Sequence, residues 1–118
     1  MLDFNPYQTL LFETFKRDGT AVNTPIWFVQ EGETIYVSTA PESWKAKRLR
    51  RNPRARIAGA DAAERPVTDW YDVTGRFIDG AEAARIYDAL DRRYDGYFRR
   101  FDRESGVPRV IIALDSAD

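Results

Sequence analysis

The chain contains no cysteine and no histidine among its 118 residues. Without cysteine, it has no disulfide, no thiolate nucleophile and no zinc–thiolate site. Without histidine, it lacks the commonest general base and the commonest metal ligand, and its acidic residues show no metal-binding spacing. We therefore expect no metal site and no catalytic side chain, so that any difficult chemistry belongs to a bound cofactor.

Long apolar runs and targeting signals are also missing. No apolar stretch approaches the roughly 20 residues that span a bilayer, and residues 1–5 lack the basic and apolar regions of a signal peptide. Hydrophobic residues make up 43% of the chain and aromatic residues 14%, which argues against disorder. We expect residues 1–118 to form a single cytoplasmic domain with no membrane partner.

Positive charge is concentrated in one segment of a chain whose formal net charge is −1. No acidic residue lies between Ser43 and Arg56, but this stretch carries seven basic ones: Lys45, Lys47, Arg48, Arg50, Arg51, Arg54 and Arg56. Such a run is usually a solvated helix face, but neighbouring like charges repel, which favours an anion-binding role here. Because aromatic residues are not interleaved with these cations, and because the net charge is slightly negative, we expect no nucleic-acid partner.

The first forty residues have the pattern of three antiparallel strands. Leu10–Phe15 is rich in apolar and β-favouring residues, and Asp18-Gly19 then marks a hairpin turn. A second strand is predicted over residues 21–30 and a third over 34–39. Pro25 cannot donate to a ladder, so we expect it at a sheet edge or a bulge.

The remaining pattern predicts three more strands and two helices. A short helix is expected over residues 44–51, ended by Asn52-Pro53. Strands are predicted over residues 54–60, 67–78 and 107–114, with a longer helix after Gly80. Aromatic residues of this last helical region, which continue the helical period past Gly96, are expected in the core or at a dimer interface: Tyr87, Tyr94, Tyr97, Phe98 and Phe101. A mainly β protein of this kind typically closes as a barrel.

The segment SWKAKRLRRNPRARIAG follows the strand end YVST. Together with the hairpin FKRDGTAVNTPIWFV and the strand TIYVSTA, it resembles the pyridoxamine-phosphate-oxidase-like split-barrel superfamily. Within that superfamily the chain is most similar to the branch that uses the deazaflavin coenzyme F420. The resemblance runs from about Leu10 to Leu114.

The resemblance implies a six-stranded antiparallel split β-barrel of the flavin-reductase type. It also implies a homodimer with two cofactor sites at the subunit interface. The second strand of such proteins lies along the isoalloxazine-like ring, which here implies Thr24, Pro25, Ile26 and Trp27. The end of the third strand and the following helix hold the phosphate and ribityl groups, which implies Ser38, Thr39, Trp44, Lys45, Lys47 and Arg48.

Physical chemistry supports the same anion site independently of the resemblance. A phosphate group binds backbone N–H groups at a helix start together with nearby cations. The first turn of the predicted helix begins after Ser43, and Lys45 and Arg48 lie one turn apart on the same side. Ser38 and Thr39 add hydroxyl donors at the preceding strand end.

Three functions fit these expectations. The first is an oxidoreductase that transfers a hydride between coenzyme F420 and an unidentified small organic acceptor. The second places FMN in the same pocket; FMN ends in its phosphate, whereas the deazaflavin has an anionic glutamate tail for the surplus arginines to meet. The third is a non-catalytic protein that stores or carries a flavin or a tetrapyrrole.

Overall fold

A computed structural model describes residues 1–117, which form seven strands and three helices. In chain order these are β1 (Leu10–Phe15), β2 (Ala21–Ile26), β3 (Phe28–Glu31), β4 (Thr34–Thr39), α1 (Trp44–Arg51), β5 (Arg54–Gly59), β6 (Tyr71–Ile78), α2 (Gly80–Arg93), α3 (Tyr97–Ser105) and β7 (Val110–Ser116). The prediction of a mainly β protein is confirmed.

All seven strands form one antiparallel sheet in the order β2-β1-β5-β6-β7-β4-β3. Its two edge strands, β2 and β3, are consecutive in the chain and are joined through Trp27. Because the two ends of the strand order meet at one residue, the sheet curls round into a split barrel. Pro25 lies in edge strand β2, as its missing N–H requires.

The predicted strand count of six is wrong because the second predicted strand is divided at Trp27. Before this residue the chain pairs with β1, where Thr24 lies opposite Phe12. After it the chain pairs with β4, where Phe28 lies opposite Val37. Residues 21–30 therefore serve two different partners and count as two strands.

The Tyr94 side chain holds this change of partner. Its hydroxyl oxygen accepts the Phe28 N–H at 3.0 Å and lies 2.9 Å from the Gln8 carbonyl oxygen and 3.0 Å from that of Phe28. The Tyr94 ring stacks on Trp27 with centroids 4.2 Å apart and planes 5° from parallel. Backbone groups left outside a ladder need partners, and Tyr94 supplies them at the break.

The predicted number of helices, two, is also wrong within the described residues. The predicted long helix is divided, because Asp95 and Gly96 adopt φ values of 57° and 78°, in the left-handed region that a helix does not continue through. Strand β6 begins at Tyr71 rather than at residue 67, and β7 begins at Val110 rather than at 107. The predicted bounds of β1, β4 and α1 are confirmed.

Two apolar clusters hold the fold together. The barrel interior draws on every strand and on α1, and it is formed by Phe4, Leu10, Phe12, Ile26, Phe28, Ile35, Val37, Leu49, Ala55, Ile57, Val73, Ile112 and Leu114. The second cluster lies between β4, β7 and the helices α2 and α3, and it is formed by Tyr36, Ile86, Leu90, Tyr94, Phe98, Ile111 and Ala113. Within residues 1–117, no helix is both long enough and apolar enough to cross a bilayer.

Helix α1 reaches the barrel interior through Leu49, which is only 2% exposed. A Cβ atom at Gly75 would lie 3.3 Å from Leu49 Cδ2, so the glycine in β6 makes room for this side chain. The helix is thereby fixed on the barrel, and its polar residues are held in defined directions.

We predict that Leu49→Ala lowers the free energy of unfolding by about 2–5 kcal/mol, because it leaves a cavity in the barrel interior. Trp44→Ala is the matched control on the same helix: Trp44 is 72% exposed, and its loss should change stability by no more than about 0.5 kcal/mol. Urea unfolding at one fixed protein concentration measures both. Equal stability of the two variants would contradict the role of Leu49.

Candidate functional site

An open pocket of about 540 Å³ lies between the barrel and α3, and we call it the barrel–α3 pocket. Seven parts of the chain meet there: the residues before β1, the β2–β3 junction, the end of β4, the start of α1, the β5–β6 loop, helix α3 and the segment before β7. Its lining residues are Thr9, Pro25, Ile26, Trp27, Ser38, Thr39, Ala40, Lys45, Glu64, Tyr97, Phe98, Phe101, Val107, Pro108 and Arg109.

One side of the pocket is built from hydroxyl groups at the end of β4 and from the start of α1. Ser38 and Thr39 are both buried. The Thr39 hydroxyl donates to Ser43 Oγ at 3.0 Å, and Ser43 Oγ also accepts the Ala46 N–H at 3.2 Å as the N-cap of α1. These bonds fix the first turn of the helix against the strand end.

Lys45 brings a positive charge to this side of the pocket. Among residues 1–117 its ammonium group has no carboxylate partner. Burial lowers the pKa of Lys45, and the nearby Arg48 guanidinium lowers it further. Both causes disfavour the charged form of Lys45, and the attraction of an anion bound beside it would offset them.

Another part of the pocket wall is aromatic. Trp27 makes an edge contact with Tyr97, with ring centroids 5.0 Å apart. Tyr97 and Phe101 lie on one face of α3 with centroids 5.9 Å apart and planes 15° from parallel, and each is 42% exposed. The pocket therefore combines half-exposed rings with hydroxyl groups, the Lys45 ammonium, the Arg109 guanidinium and the Glu64 carboxylate.

Six of the ten predicted cofactor residues line this pocket: Pro25, Ile26, Trp27, Ser38, Thr39 and Lys45. Trp44 and Arg48 line a second cavity, described next. In the described part of the chain, Thr24 and Lys47 line neither cavity. Thr24 is half-buried in β2, and the Lys47 ammonium lies 5.0 Å above the Trp44 ring and 3.9 Å from a Glu42 carboxylate oxygen. The cofactor contacts of all ten residues stay predictions.

The second cavity, of about 650 Å³, lies between the β1–β2 turn and α1, and we call it the α1 groove. Arg48 Nε donates to Thr14 Oγ1 at 2.7 Å, and Arg51 Nη2 donates to the Phe15 carbonyl at 2.6 Å. These neutral partners hold the two guanidinium groups without neutralising them. Burial, and then the charge of Arg51, lower the pKa of Arg48. The groove lining contains four cations and one carboxylate: Lys16, Arg17, Arg48, Arg51 and Asp18.

The sequence reasoning missed Arg109, which joins the pocket to the two long helices. Arg109 Nη1 donates to Ser38 Oγ at 3.1 Å, and Nη2 donates to Asp102 Oδ1 at 2.6 Å. The Tyr87 hydroxyl donates to the other oxygen of Asp102 at 2.6 Å. One sequence signal could have found this residue, since Arg109 is the single charged side chain in the apolar run VPRVIIAL.

The aromatic residues at the end of α2 and in α3 divide between the core and the pocket. Tyr94 and Phe98 are buried, which confirms their expected place in the core. Tyr97 and Phe101 are half-exposed at the pocket and lie outside the core, so their place at a dimer interface stays a prediction. The helical period predicts that these side chains share a face, but it does not show which of them the barrel covers.

Protonation in the Tyr87–Asp102–Arg109 chain follows from these contacts. The hydrogen bonds from Arg109 are the largest cause that lowers the pKa of Asp102. Burial raises the pKa of Tyr87 to about 12, and its hydrogen bond to Asp102 adds to the effect. At neutral pH the chain is therefore a neutral phenol, a carboxylate and a guanidinium.

We predict that Tyr87→Phe removes the component of the tyrosine absorbance titration that ionises near pH 12. The unfolded chain releases a tyrosine proton near pH 10, so this raised pKa makes the protein lose stability as the pH rises from about 10 to 12. Rapid mixing into alkaline buffer records the titration before unfolding. Tyr97→Phe, the control, retains the component; its persistence in Tyr87→Phe would refute the assignment.

Several proteins of known structure have a similar fold. The chain is similar to HutZ, the heme storage protein from Vibrio cholerae, with a TM-score of 0.75, 18% identity and coverage of 99% of this chain and 92% of HutZ. An F420-H2 dependent reductase, FDR-A, has a TM-score of 0.67, 14% identity and coverage of 92% and 94%. A structure described as a domain-swapped dimer has a TM-score of 0.71, 16% identity and coverage of 92% and 80%.

No curated protein matches the chain. A profile of the pyridoxamine 5'-phosphate oxidase family matches residues 6–117, which is nearly the whole sequence. The likeness in fold to HutZ over 99% of this chain agrees with that match. The chain therefore belongs to the pyridoxamine 5'-phosphate oxidase family.

Proposed function

We propose that the barrel–α3 pocket binds a phosphorylated flavin-type cofactor and that the protein is an oxidoreductase. In this proposal it transfers a hydride between coenzyme F420 and a small organic acceptor. The single observation that carries the proposal is the meeting of an unneutralised Lys45 with the linked hydroxyls of Thr39 and Ser43 at the start of a helix.

The phosphate end of the cofactor is assigned to the start of α1. The first turn of a helix has N–H groups without helical partners, and these attract anions. Ser43 takes one of them, that of Ala46, and Lys45 adds a full charge beside the turn. A phosphate here would stabilise the charged form of Lys45, which burial disfavours.

The ring end is assigned to the β2–β3 junction. Pro25 has no N–H to donate, and Trp27 continues the same wall of the pocket. In this proposal the flat ring lies against this wall, with the half-exposed rings of α3 at its margin. Hydride transfer then needs a correctly oriented ring and acceptor rather than an acid or base. This suits a chain without histidine or cysteine.

The α1 groove favours F420 over FMN. Trp44 and Lys45 are adjacent in sequence but line different cavities, so the groove and the pocket meet at the start of α1. An anionic tail that leaves the phosphate site can pass over this helix start towards Arg48 and Arg51, whose neutral partners leave their charges available. FMN, which ends in its phosphate, makes no use of the groove. The likeness in fold to FDR-A agrees with this choice.

A second copy of the chain completes the site in this proposal. Tyr97, Phe101 and Val107 form an exposed apolar margin at the pocket, and a partner subunit would cover it. The likeness to a domain-swapped dimer supports a homodimer.

A storage role is the second candidate, supported by the likeness to HutZ. Histidine and cysteine, two common axial ligands of haem iron, are missing from the sequence. A storage protein binds its ligand without turnover, whereas the proposed enzyme oxidises reduced F420 when an acceptor is supplied.

We predict that the purified protein binds F420 more tightly than FMN and that shortening the glutamate tail of F420 weakens binding. Parallel fluorescence titrations measure the affinities, and assays with reduced cofactor and a panel of acceptors test turnover. Tight FMN binding with no response to F420 would reject F420 as the cofactor. Binding without turnover over the whole panel would favour storage.

We predict that Lys45→Ala weakens the binding of both cofactors by about 1.5–3 kcal/mol, because it removes a charge-assisted contact to the phosphate. Arg48→Ala should weaken F420 only, since FMN does not reach the groove. Arg50→Ala is the control: this cation of the same helix donates to the Pro41 carbonyl, and within the described chain it lines neither cavity. Unchanged affinity for both cofactors in Lys45→Ala would remove Lys45 from the site.

A further inference from the structure

A chain of four hydrogen-bonded side chains runs from the outer helices into the barrel–α3 pocket. It begins at Tyr87 in α2, passes through Asp102 in α3 and Arg109 before β7, and ends at Ser38 in β4. Arg109 and Ser38 both line the pocket, and Ser38 follows Val37, the register partner of Phe28, so it lies at the β2–β3 junction next to Trp27.

Two contacts fix the Arg109 guanidinium: Asp102 binds one of its edges, and the Phe98 ring covers one of its faces. Nε and Nη2 both donate to the Asp102 carboxylate, with distances of 3.0 Å and 2.6 Å to its two oxygens. The group also lies 4.8 Å from the centroid of the buried Phe98 ring. A planar guanidinium held in this way has one direction left for Nη1, and that direction leads to Ser38.

The contact with Arg109 determines what the Ser38 hydroxyl can do. A guanidinium only donates, so Ser38 Oγ is the acceptor of this bond and its own proton is directed elsewhere. No acceptor among residues 1–117 takes that proton. The neighbouring hydroxyl is committed, because Thr39 donates to Ser43. Ser38 is buried and lines the pocket, so its proton is available to a molecule bound there.

We propose that Arg109 is a positioning residue, which holds the Ser38 hydroxyl as a hydrogen-bond donor to an acceptor atom of the bound cofactor ring, whereas the resemblance implies that Ser38 meets the phosphate and ribityl groups. This inference rests on the proposed function and deepens it. The positive charge behind Ser38 polarises the hydroxyl and strengthens its bond to an oxygen or nitrogen that gains negative charge. The pair therefore stabilises the reduced ring more than the oxidised ring, and it raises the reduction potential of the bound cofactor.

The test is a double-mutant cycle with F420 as the titrant, and FMN if F420 does not bind. Arg109→Met and Ser38→Ala should each weaken binding by about five- to tenfold and lower the reduction potential of the bound cofactor. Because Arg109 acts through Ser38, the double variant should bind no more weakly than Ser38→Ala alone. If Arg109→Met does not fold, Asp102→Asn, which releases the guanidinium at nearly constant volume, takes its place with the same expectation.

Arg99 provides the matched control for a merely structural role. Like Arg109 it belongs to an ion pair that fixes α3, since Arg99 Nη1 donates to Asp91 in α2 at 3.0 Å, but in the described chain it does not line the pocket. Arg99→Met should leave the reduction potential unchanged.

Additive losses in the cycle, or an equal change of potential in Arg99→Met, would overturn the positioning role while cofactor binding by the unmodified protein still stands. Failure of the unmodified protein to bind either cofactor would overturn the proposed function, and the role of Arg109 with it.

Discussion

The Tyr94 hydroxyl is the constraint on which the barrel and its pocket both depend. It satisfies the Phe28 backbone N–H at the point where one strand leaves β1 and joins β4, and the Tyr94 ring stacks on Trp27 at the same point. Without a partner there, a buried backbone N–H would cost roughly 1–3 kcal/mol. The same contact fixes Trp27 in the pocket wall and anchors the end of α2, from which α3 continues.

The arginines of α1 are held in place by neutral hydrogen-bond acceptors, which do not cancel their positive charge. Arg48, Arg50 and Arg51 donate to a hydroxyl and to two backbone carbonyls. Exposed ion pairs contribute little to stability, so it costs the fold little that within residues 1–117 these three arginines form none. This arrangement creates a local positive potential beside a helix start. Such a potential attracts anions.

The sequence predicts those parts of the molecule whose causes lie close together in the chain. Strands β1 and β4 and helix α1 follow from apolar patterning, turn residues and Pro53, and the polar side of the pocket follows from residues near one strand end. The division at Trp27 depends on Tyr94, 66 residues beyond Phe28, which no local pattern contains. Arg109 reaches Ser38 across 71 residues, so only the folded sheet brings them together.

Helix α3 supplies the aromatic wall of the pocket, yet the barrel interior contains none of its described residues. The helix lies between Gly96 and Gly106, two glycines with φ values of 78° and 65°. Substitutions on the pocket face of α3 therefore alter the pocket wall without touching the barrel interior, whereas Phe98 on the same helix is tied to β4 and β7 through the second apolar cluster. A constant barrel with a variable wall is one physical route by which a single fold comes to host many activities.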